Sequence, residues 1–285
     1  MPILLKLPIV DPFHIETIAA NAWPAAEIVE LDGWRLRFAD GVTRRANSVW
    51  PNAAAGRLPL DAKIAAAEAF YANRGQPAIF QISPAQQPPE LDAILAARGY
   101  THHAPTLVQT TALTEIFRRG GAEVQRSAEE VRSKQASTQL RVSAPPRQTF
   151  SVTVSPAFDA DWFELYCVGE EAPPAQAAVR QAILQRITLP CGYATLHSNH
   201  IPIAVALGVV EGEWMGIFNV VTLPAYRRQG AARALLAALA EWASQHGATN
   251  TYLQVMERNI AAQALYAATG FTTAYGYHYR VKQVI

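Results

Sequence analysis

The sequence has few of the features that mark secreted, membrane-spanning or nucleic-acid-binding proteins. It contains only two cysteines, Cys167 and Cys191, and neither has other metal-ligating residues at ligand spacing. No apolar run approaches the roughly 18 residues of a membrane helix, and the apolar start at residues 1–13 is too short for a signal peptide. The formal net charge of +1 offers no broad basic surface. We therefore expect a cytoplasmic protein with reduced cysteines and without a metal, a membrane anchor or a nucleic-acid partner.

The composition supplies ample material for a hydrophobic core. Half of the 285 residues are hydrophobic and only 16% are charged, which is typical of a globular chain. This length favours two packed domains over one. The stretch 114–148 is rich in charge, Ser and Gln and contains Pro145–Pro146, so it is a predicted linker. The predicted domains are then residues 1–113 and 149–285.

Apolar periodicity predicts an alternation of strands and helices in the second half. Two helices at 157–168 and 175–188 are followed by a hairpin at 192–197 and 201–210. The remaining predicted elements are a buried strand at 216–222, an amphipathic helix at 231–245, a strand at 251–255, a helix at 260–268 and a long alternating strand at 271–281. This order predicts an α/β fold in which helices pack on a mixed sheet.

The turn between the 216–222 strand and the 231–245 helix has the chemistry of an anion site. A helix start presents unpaired backbone N–H groups and partial positive charge. Gly230 lets the backbone approach a ligand closely, and the small Ala231 and Ala232 leave the space above the amides open. Three arginines add positive charge suited to phosphates: Arg227, Arg228 and Arg233.

Residues 227–232 resemble the Gln/Arg-x-x-Gly-x-Gly/Ala signature of the GNAT superfamily of N-acyltransferases, with Ala at the last position. A second block, Asn259-x-x-Ala262-x-x-Leu265-Tyr266 followed by Gly270-Phe271, resembles the family's next motif at the expected distance. The resemblance covers residues 150–285. It implies a mostly antiparallel twisted sheet flanked by helices, acetyl-CoA as co-substrate, and a small-molecule or peptide amine as acceptor.

The resemblance also implies how coenzyme A would bind. The strand at 219–222 would separate from residues 253–255, so that the pantetheine arm pairs with its free edge and the loop amides hold the pyrophosphate. The coenzyme-binding residues implied in this way are Asn219, Val220, Val221, Thr222, Arg227, Arg228, Gln229, Gly230, Ala231, Ala232, Arg233, Asn259, Ala262 and Tyr266.

Tyr266 is the predicted general acid. A phenol of pKa about 10 can protonate a leaving thiolate whose thiol has a pKa of about 8.5. For the general base, Glu211 and Glu213 are the nearest candidates, although both can equally be solvated turn residues beside Gly212. Four further residues are candidates for the acceptor site, with packing as the alternative role: Trp162, Tyr166, Trp214 and His278.

The first half repeats the later part of the second-half pattern. Asn47-Ser48-Val49 resembles 219–221, and Phe80-Gln81-Ile82 resembles 253–255, each at a separation of about 172 residues. The counterpart of the coenzyme loop, residues 55–60, contains Pro59, which lacks an amide hydrogen. The counterpart of Tyr266 falls on Ile94 or Leu95. We therefore predict a tandem-GNAT protein whose first half binds no coenzyme and completes or covers the acceptor site.

Two other functions fit the same sequence. One is a non-catalytic acyl-CoA sensor, which needs the coenzyme loop but not the Tyr266 hydroxyl. The other is a transferase that uses a longer acyl-CoA or acetylates a protein lysine or N-terminus.

Overall fold

The structure, a computed structural model, describes residues 10–52, 56–119 and 150–282. The elements of the first half are α1 (Pro12–Asn21), β1 (Glu27–Leu31), β2 (Trp34–Phe38), β3 (Val49–Trp50), α2 (Leu60–Ala72), β4 (Ile79–Ile82), α3 (Leu91–Ala97) and β5 (Thr101–Ala112). Those of the second half are β6 (Phe150–Ser155), α4 (Ala160–Gly169), α5 (Pro174–Gln185), β7 (Cys191–Ser198), β8 (Ile201–Glu211), β9 (Trp214–Thr222), α6 (Ala231–Gln245), β10 (Asn250–Met256), α7 (Ile260–Ala268) and β11 (Thr272–Val281). Within these ranges, every helix is too short or too polar to span a bilayer.

One continuous sheet joins the strands of both halves. Its order is β1-β2-β3-β4-β11-β5-β10-β9-β8-β7-β6. Among the described strand pairs, β3 with β4 and β9 with β10 are parallel, and the others are antiparallel. The predicted mixed, mostly antiparallel sheet flanked by helices is thus confirmed.

The two halves repeat the same order of elements and exchange their last strands. In each half a strand, a helix, a parallel strand, a helix and a long strand follow one another. The last strand of the first half, β5, pairs with β10, while β11 of the second half lies between β4 and β5. Each half therefore needs the other to complete its part of the sheet.

Helix α6 illustrates why the apolar spacing of the sequence predicts a helix correctly. Its buried residues follow the three-to-four spacing of one helical face, and they pack on β7 and β8. Gly230 at its start and Gly247 after its end both have φ of +88°, a conformation that favours glycine. The helix covers residues 231–245, as the sequence predicts.

The predicted linker begins inside an ordered helix. Residues 113–119 are helical, and Leu113 and Ile116 are buried against the second half. The guanidinium of Arg119 donates to the carbonyl of Ala267 at 3.0 Å. The predicted linker therefore begins with helical residues, and its apolar side chain Ile116 packs on the second half. The rest of the predicted linker lies outside the described residues.

Candidate active site

The parallel strands β9 and β10 separate at their C-terminal ends. Their pairing runs from Trp214 with Asn250 to Ile217 with Leu253 and stops there. Beyond that pair, residues 218–222 and 254–256 diverge, as predicted. The divergence exposes the edge of β9 that faced β10, and an extended ligand chain can add to such an edge by backbone hydrogen bonds.

A β-bulge at Asn219 accompanies the separation. The register between β8 and β9 shifts between Val205 and Leu207, and Asn219 has φ of +52°. A bulge bends its strand and turns it away from its neighbour. The Asn219 side-chain nitrogen is buried and has no hydrogen-bond partner among the described residues. A buried donor left unpaired costs free energy, so this atom is suited to a polar group of a ligand.

A cavity of about 470 Å³ occupies the gap between the separated strands. Several predicted site residues line it together, namely Asn219 and Val220 of β9 with Asn259, Ala262 and Tyr266. The residues that follow on β9 have other contacts. Val221 is buried in the core, and the carbonyl of Thr222 accepts a hydrogen bond from the Arg227 side chain at 3.1 Å.

Tyr266 projects from α7 into this cavity. The residue is 8% exposed, and its hydroxyl makes no hydrogen bond to any residue in the described ranges. Burial raises the pKa of Tyr266 to about 12, and the positive charge of Arg45 opposes this rise. The phenol is therefore protonated at neutral pH and has a proton to donate. Asn259 caps α7, because its side chain accepts from the Ala262 amide at 3.1 Å.

The predicted coenzyme loop lies beyond the cavity, where β9 gives way to α6. Gly230 is the N-cap of α6 and provides no side chain to occupy the helix amides. A Cβ built at Gly230 would meet no other atom within 4 Å, so the space above the loop is open. Arg227, Arg228 and Gln229 are exposed, Ala231 is buried, and Ala232 and Arg233 are half-buried. Exposed arginines beside uncapped amides fit the phosphates of coenzyme A.

The structure does not bring Glu211 or Glu213 to the cavity. Glu211 accepts hydrogen bonds from the Asn21 side chain at 2.9 and 3.2 Å. Glu213 is exposed in the turn before β9 and lies six residues before Asn219, which is about 20 Å along a strand. Glu211 ends β8 and Glu213 lies in the turn that follows it, at the end of the β8–β9 hairpin remote from the separated ends of β9 and β10.

Of the four candidate acceptor residues, the structure places one in the cavity. Tyr166 lines it and accepts a hydrogen bond from Arg180 at 2.5 Å. The indole of Trp162 is buried and donates to a backbone carbonyl of β7, and Trp214 packs against Tyr252 at the far end of β9. His278 pairs with Asp92 at 2.9 Å and stacks on His102, outside the cavity.

The residues that the sequence did not reveal come mainly from the first half. Four of them line the cavity from the first half: Trp23, Thr43, Arg44 and Arg45. Glu170, directly after α4, and Arg180 of α5 also line it. None of them belongs to a recognisable motif. The sequence indicated these residues only indirectly, through the prediction that the first half completes or covers the acceptor site.

A buried polar network joins the first half to Tyr275 of β11. Glu16 of α1 accepts hydrogen bonds from the Tyr275 hydroxyl at 2.8 Å and from the Gln81 amide. Arg37 in turn donates to the Gln81 carbonyl oxygen at 2.7 Å and to the Ser48 hydroxyl at 2.9 Å. Burial raises the pKa of Glu16 to about 7, and its hydrogen bond with Tyr275 opposes the rise. Glu16 therefore titrates near neutral pH in the folded protein.

The raised pKa of Glu16 predicts a pH-dependent effect of Glu16→Gln on stability. The folded state holds a proton on Glu16 up to about pH 7, whereas the unfolded state releases it near pH 4.5, so the wild type loses stability as pH rises between these values. Glutamine does not titrate. From pH 5 to pH 8, the free energy of unfolding of the variant should therefore improve relative to wild type by on the order of 2 kcal/mol.

Urea unfolding at pH 5 and pH 8 measures this difference. Glu164→Gln is the matched control, because Glu164 is exposed on α4. An equal offset between Glu16→Gln and wild type at both pH values would contradict the assignment of a raised pKa to Glu16.

Comparisons with known proteins identify the family. Residues 152–271 match the family model described as the Acetyltransferase (GNAT) family, and residues 13–85 match that of the probable histone acetyltransferase Rv0428c C-terminal. The chain is 30% identical over 277 residues to the uncharacterized N-acetyltransferase YobR of Bacillus subtilis (strain 168), which covers 96% of this chain and 99% of that relative.

Solved structures share the fold. A GCN5-related N-acetyltransferase from Kribbella flavida aligns with a TM-score of 0.63 at 14% identity, over 96% of both chains. A tandem GNAT protein from the clavulanic acid biosynthesis pathway aligns with a TM-score of 0.58 at 14% identity, over 94% of this chain and 87% of that one. The chain therefore belongs to the GNAT family of acyl-CoA-dependent acetyltransferases and has the tandem arrangement of two GNAT-like halves.

Proposed function

We propose that the protein is an N-acetyltransferase that moves the acetyl group of acetyl-CoA to a primary amine by direct attack in a ternary complex. The observation that carries this proposal is the position of Tyr266. Its protonated hydroxyl lines the cavity into which the separated strands β9 and β10 open. A proton donor at this position can protonate the thiolate that leaves when a thioester bound along β9 is attacked.

The chain offers a separate group for each part of the co-substrate. The loop at 227–232 holds the phosphates with its amides and arginines, and the free edge of β9 pairs with the pantetheine arm. The buried side-chain nitrogen of Asn219 supplies a donor in the same region. When bound, acetyl-CoA supplies the thioester. A backbone N–H near Val220 polarises its carbonyl and stabilises the negative charge that develops during attack.

The cavity also supplies what the amine requires. An ammonium must lose a proton before it attacks, and nearby positive charge lowers its pKa. Arg45 and Arg180 provide that charge. Among the described residues that line the cavity, Glu170 is the only one with a carboxylate. We assign the acceptance of the proton to Glu170, directly or through water, in place of Glu211 and Glu213.

The first half has lost the means to hold a coenzyme in its own loop. The amides of Arg57 and Leu58 donate to the carboxylate of Asp32 at 2.7 and 2.9 Å, so an acidic side chain occupies the donors that a phosphate would need. Pro59 follows as the N-cap of α2. This arrangement supports the proposal that only the second half binds acetyl-CoA. Residue 55 of the predicted counterpart loop lies outside the described residues.

Mixing the purified protein with acetyl-CoA and a panel of primary amines, while free thiol is followed, tests the proposed reaction. Thiol release that depends on both the amine and the protein is expected. Tight coenzyme binding without turnover of any amine would instead favour an acyl-CoA sensor. Calorimetric titration with acetyl-, propionyl- and succinyl-CoA separates the acetyl donor from longer ones.

A further inference from the structure

We infer that the acceptor is an amine that also carries a carboxylate, and that Arg45 of the first half binds this carboxylate. This inference rests on the proposed N-acetyl transfer and names the class of its acceptor. It also gives the first half a direct part in substrate recognition.

Arg45 makes no close ion pair in the described structure, and the charge of Glu16 acts on it only from a longer distance. Its guanidinium lies 5.6 Å from the ring centres of both Trp23 and Phe218, and it makes no hydrogen bond or ion pair with any described residue. The nearby carboxylate of Glu16 is committed to Tyr275 and Gln81. Both rings lie within cation–π distance of the guanidinium and leave its N–H donors for a ligand, and a carboxylate matches this fork of donors.

The loop that carries Arg45 is held rigidly. The buried side chain of Asn47 accepts from the amides of Ala39 and Gly41 at 2.7 and 2.9 Å, and it donates to the carbonyls of Val42 and Thr43 at 2.6 and 2.8 Å. The Thr43 hydroxyl accepts in turn from the Trp23 indole at 3.0 Å. Because these bonds fix the backbone before Arg45, little ordering of the loop backbone is needed when a ligand binds.

The charges around the cavity favour an anionic group on the acceptor. Three arginines line it: Arg44, Arg45 and Arg180. Glu170 is the only acidic residue among the described residues that line it. A simple amine, which is a cation in solution, is repelled by this excess of positive charge, whereas an amine with a carboxylate is neutral overall and can present its acid to Arg45. The volume of about 470 Å³ is shared with the acyl end of the co-substrate, so it suits a small acceptor.

The test compares matched acceptors that differ only in the carboxylate. The pairs are 4-aminobutanoate with 4-aminobutanamide and glycine with glycinamide, each measured as kcat/KM with wild type, Arg45→Gln and Arg186→Gln. Arg186 is the control for the same loss of charge, because it is exposed after α5 and does not line the cavity. Wild type and Arg186→Gln should prefer the carboxylate member of at least one pair by about tenfold or more, and Arg45→Gln should lose that preference.

Calorimetry of the enzyme–CoA complex with 4-acetamidobutanoate and its amide gives a readout without turnover. Binding of the carboxylate that weakens about tenfold in Arg45→Gln, with unchanged affinity for coenzyme A, supports the inference. Equal use of acids and amides, or a preference that survives Arg45→Gln, overturns it while N-acetyl transfer stands. If no amine is acetylated, the proposed function fails. The calorimetry then decides by itself whether Arg45 binds a carboxylate. If neither the binding nor the preference for carboxylates depends on Arg45, the inference is overturned.

Discussion

Replacement of Tyr266 by phenylalanine is expected to lower kcat about 100-fold, which is the lower end of what a positioned proton donor contributes. The substitution removes only the hydroxyl and leaves the ring that packs against Phe271. The leaving thiolate must then take its proton from water. Because the loss affects the transition state more than the bound substrate, KM for acetyl-CoA should change little.

The pH dependence of this effect has a defined sign. Tyr266 acts as an acid only while protonated, and its pKa of about 12 keeps it protonated below about pH 11. The wild type should therefore show no loss of kcat from Tyr266 ionisation between pH 7 and pH 10, and the ratio of wild type to Tyr266→Phe should stay constant across that range. Stopped-flow or steady-state thiol release at several pH values measures this ratio.

Tyr193→Phe is a suitable control for Tyr266→Phe. Tyr193 is as buried as Tyr266, but it packs with Trp162 in the core and does not line the cavity. Its substitution should leave kcat within about twofold of wild type, since remote hydroxyls do not touch the reacting atoms. A Tyr266→Phe variant that is as active as Tyr193→Phe would show that Tyr266 has a packing role alone.

A Gly230→Ala substitution is expected to raise the Kd for coenzyme A by on the order of 100-fold. The new methyl group would project into the open space above the loop amides, where the phosphates are proposed to lie. Loss of about two charge-assisted hydrogen bonds to phosphate accounts for this magnitude. Isothermal titration with coenzyme A measures the change.

Gly247→Ala separates this binding effect from backbone strain. Gly230 and Gly247 lie at opposite ends of α6, both with φ of +88° and both with no atom within 4 Å of an added Cβ. Each substitution should therefore destabilise the fold by a similar amount, about 1 to 2 kcal/mol. Only Gly230→Ala should weaken coenzyme binding. Equal losses of affinity in the two variants would refute the assignment of the phosphate site to the Gly230 loop.

The sequence alone determined the local structure of much of the second half. Helix α6 was predicted at residues 231–245 and α7 at 260–268, and both have these bounds in the structure. Their apolar residues recur at helical spacing, and glycines mark the ends of α6. Local signals suffice here because helix periodicity and end chemistry involve residues only a few positions apart.

The wall of the cavity that the first half supplies, and the network around Glu16, depended on contacts between distant residues. Glu16 and Tyr275 form a hydrogen bond across 259 positions of the chain, and Arg45 meets Phe218 only because the loop between β2 and β3 folds against β9. The exchange of β5 and β11 is similar, since a long alternating strand predicts which side chains are buried but not which strand it will pair with. Strand partners and cavity walls are decided by the packing of whole faces, and no local period encodes that packing. The sequence thus determined the family and the helices α6 and α7, whereas the tertiary structure decided which residues of the first half, Arg45 among them, line the cavity.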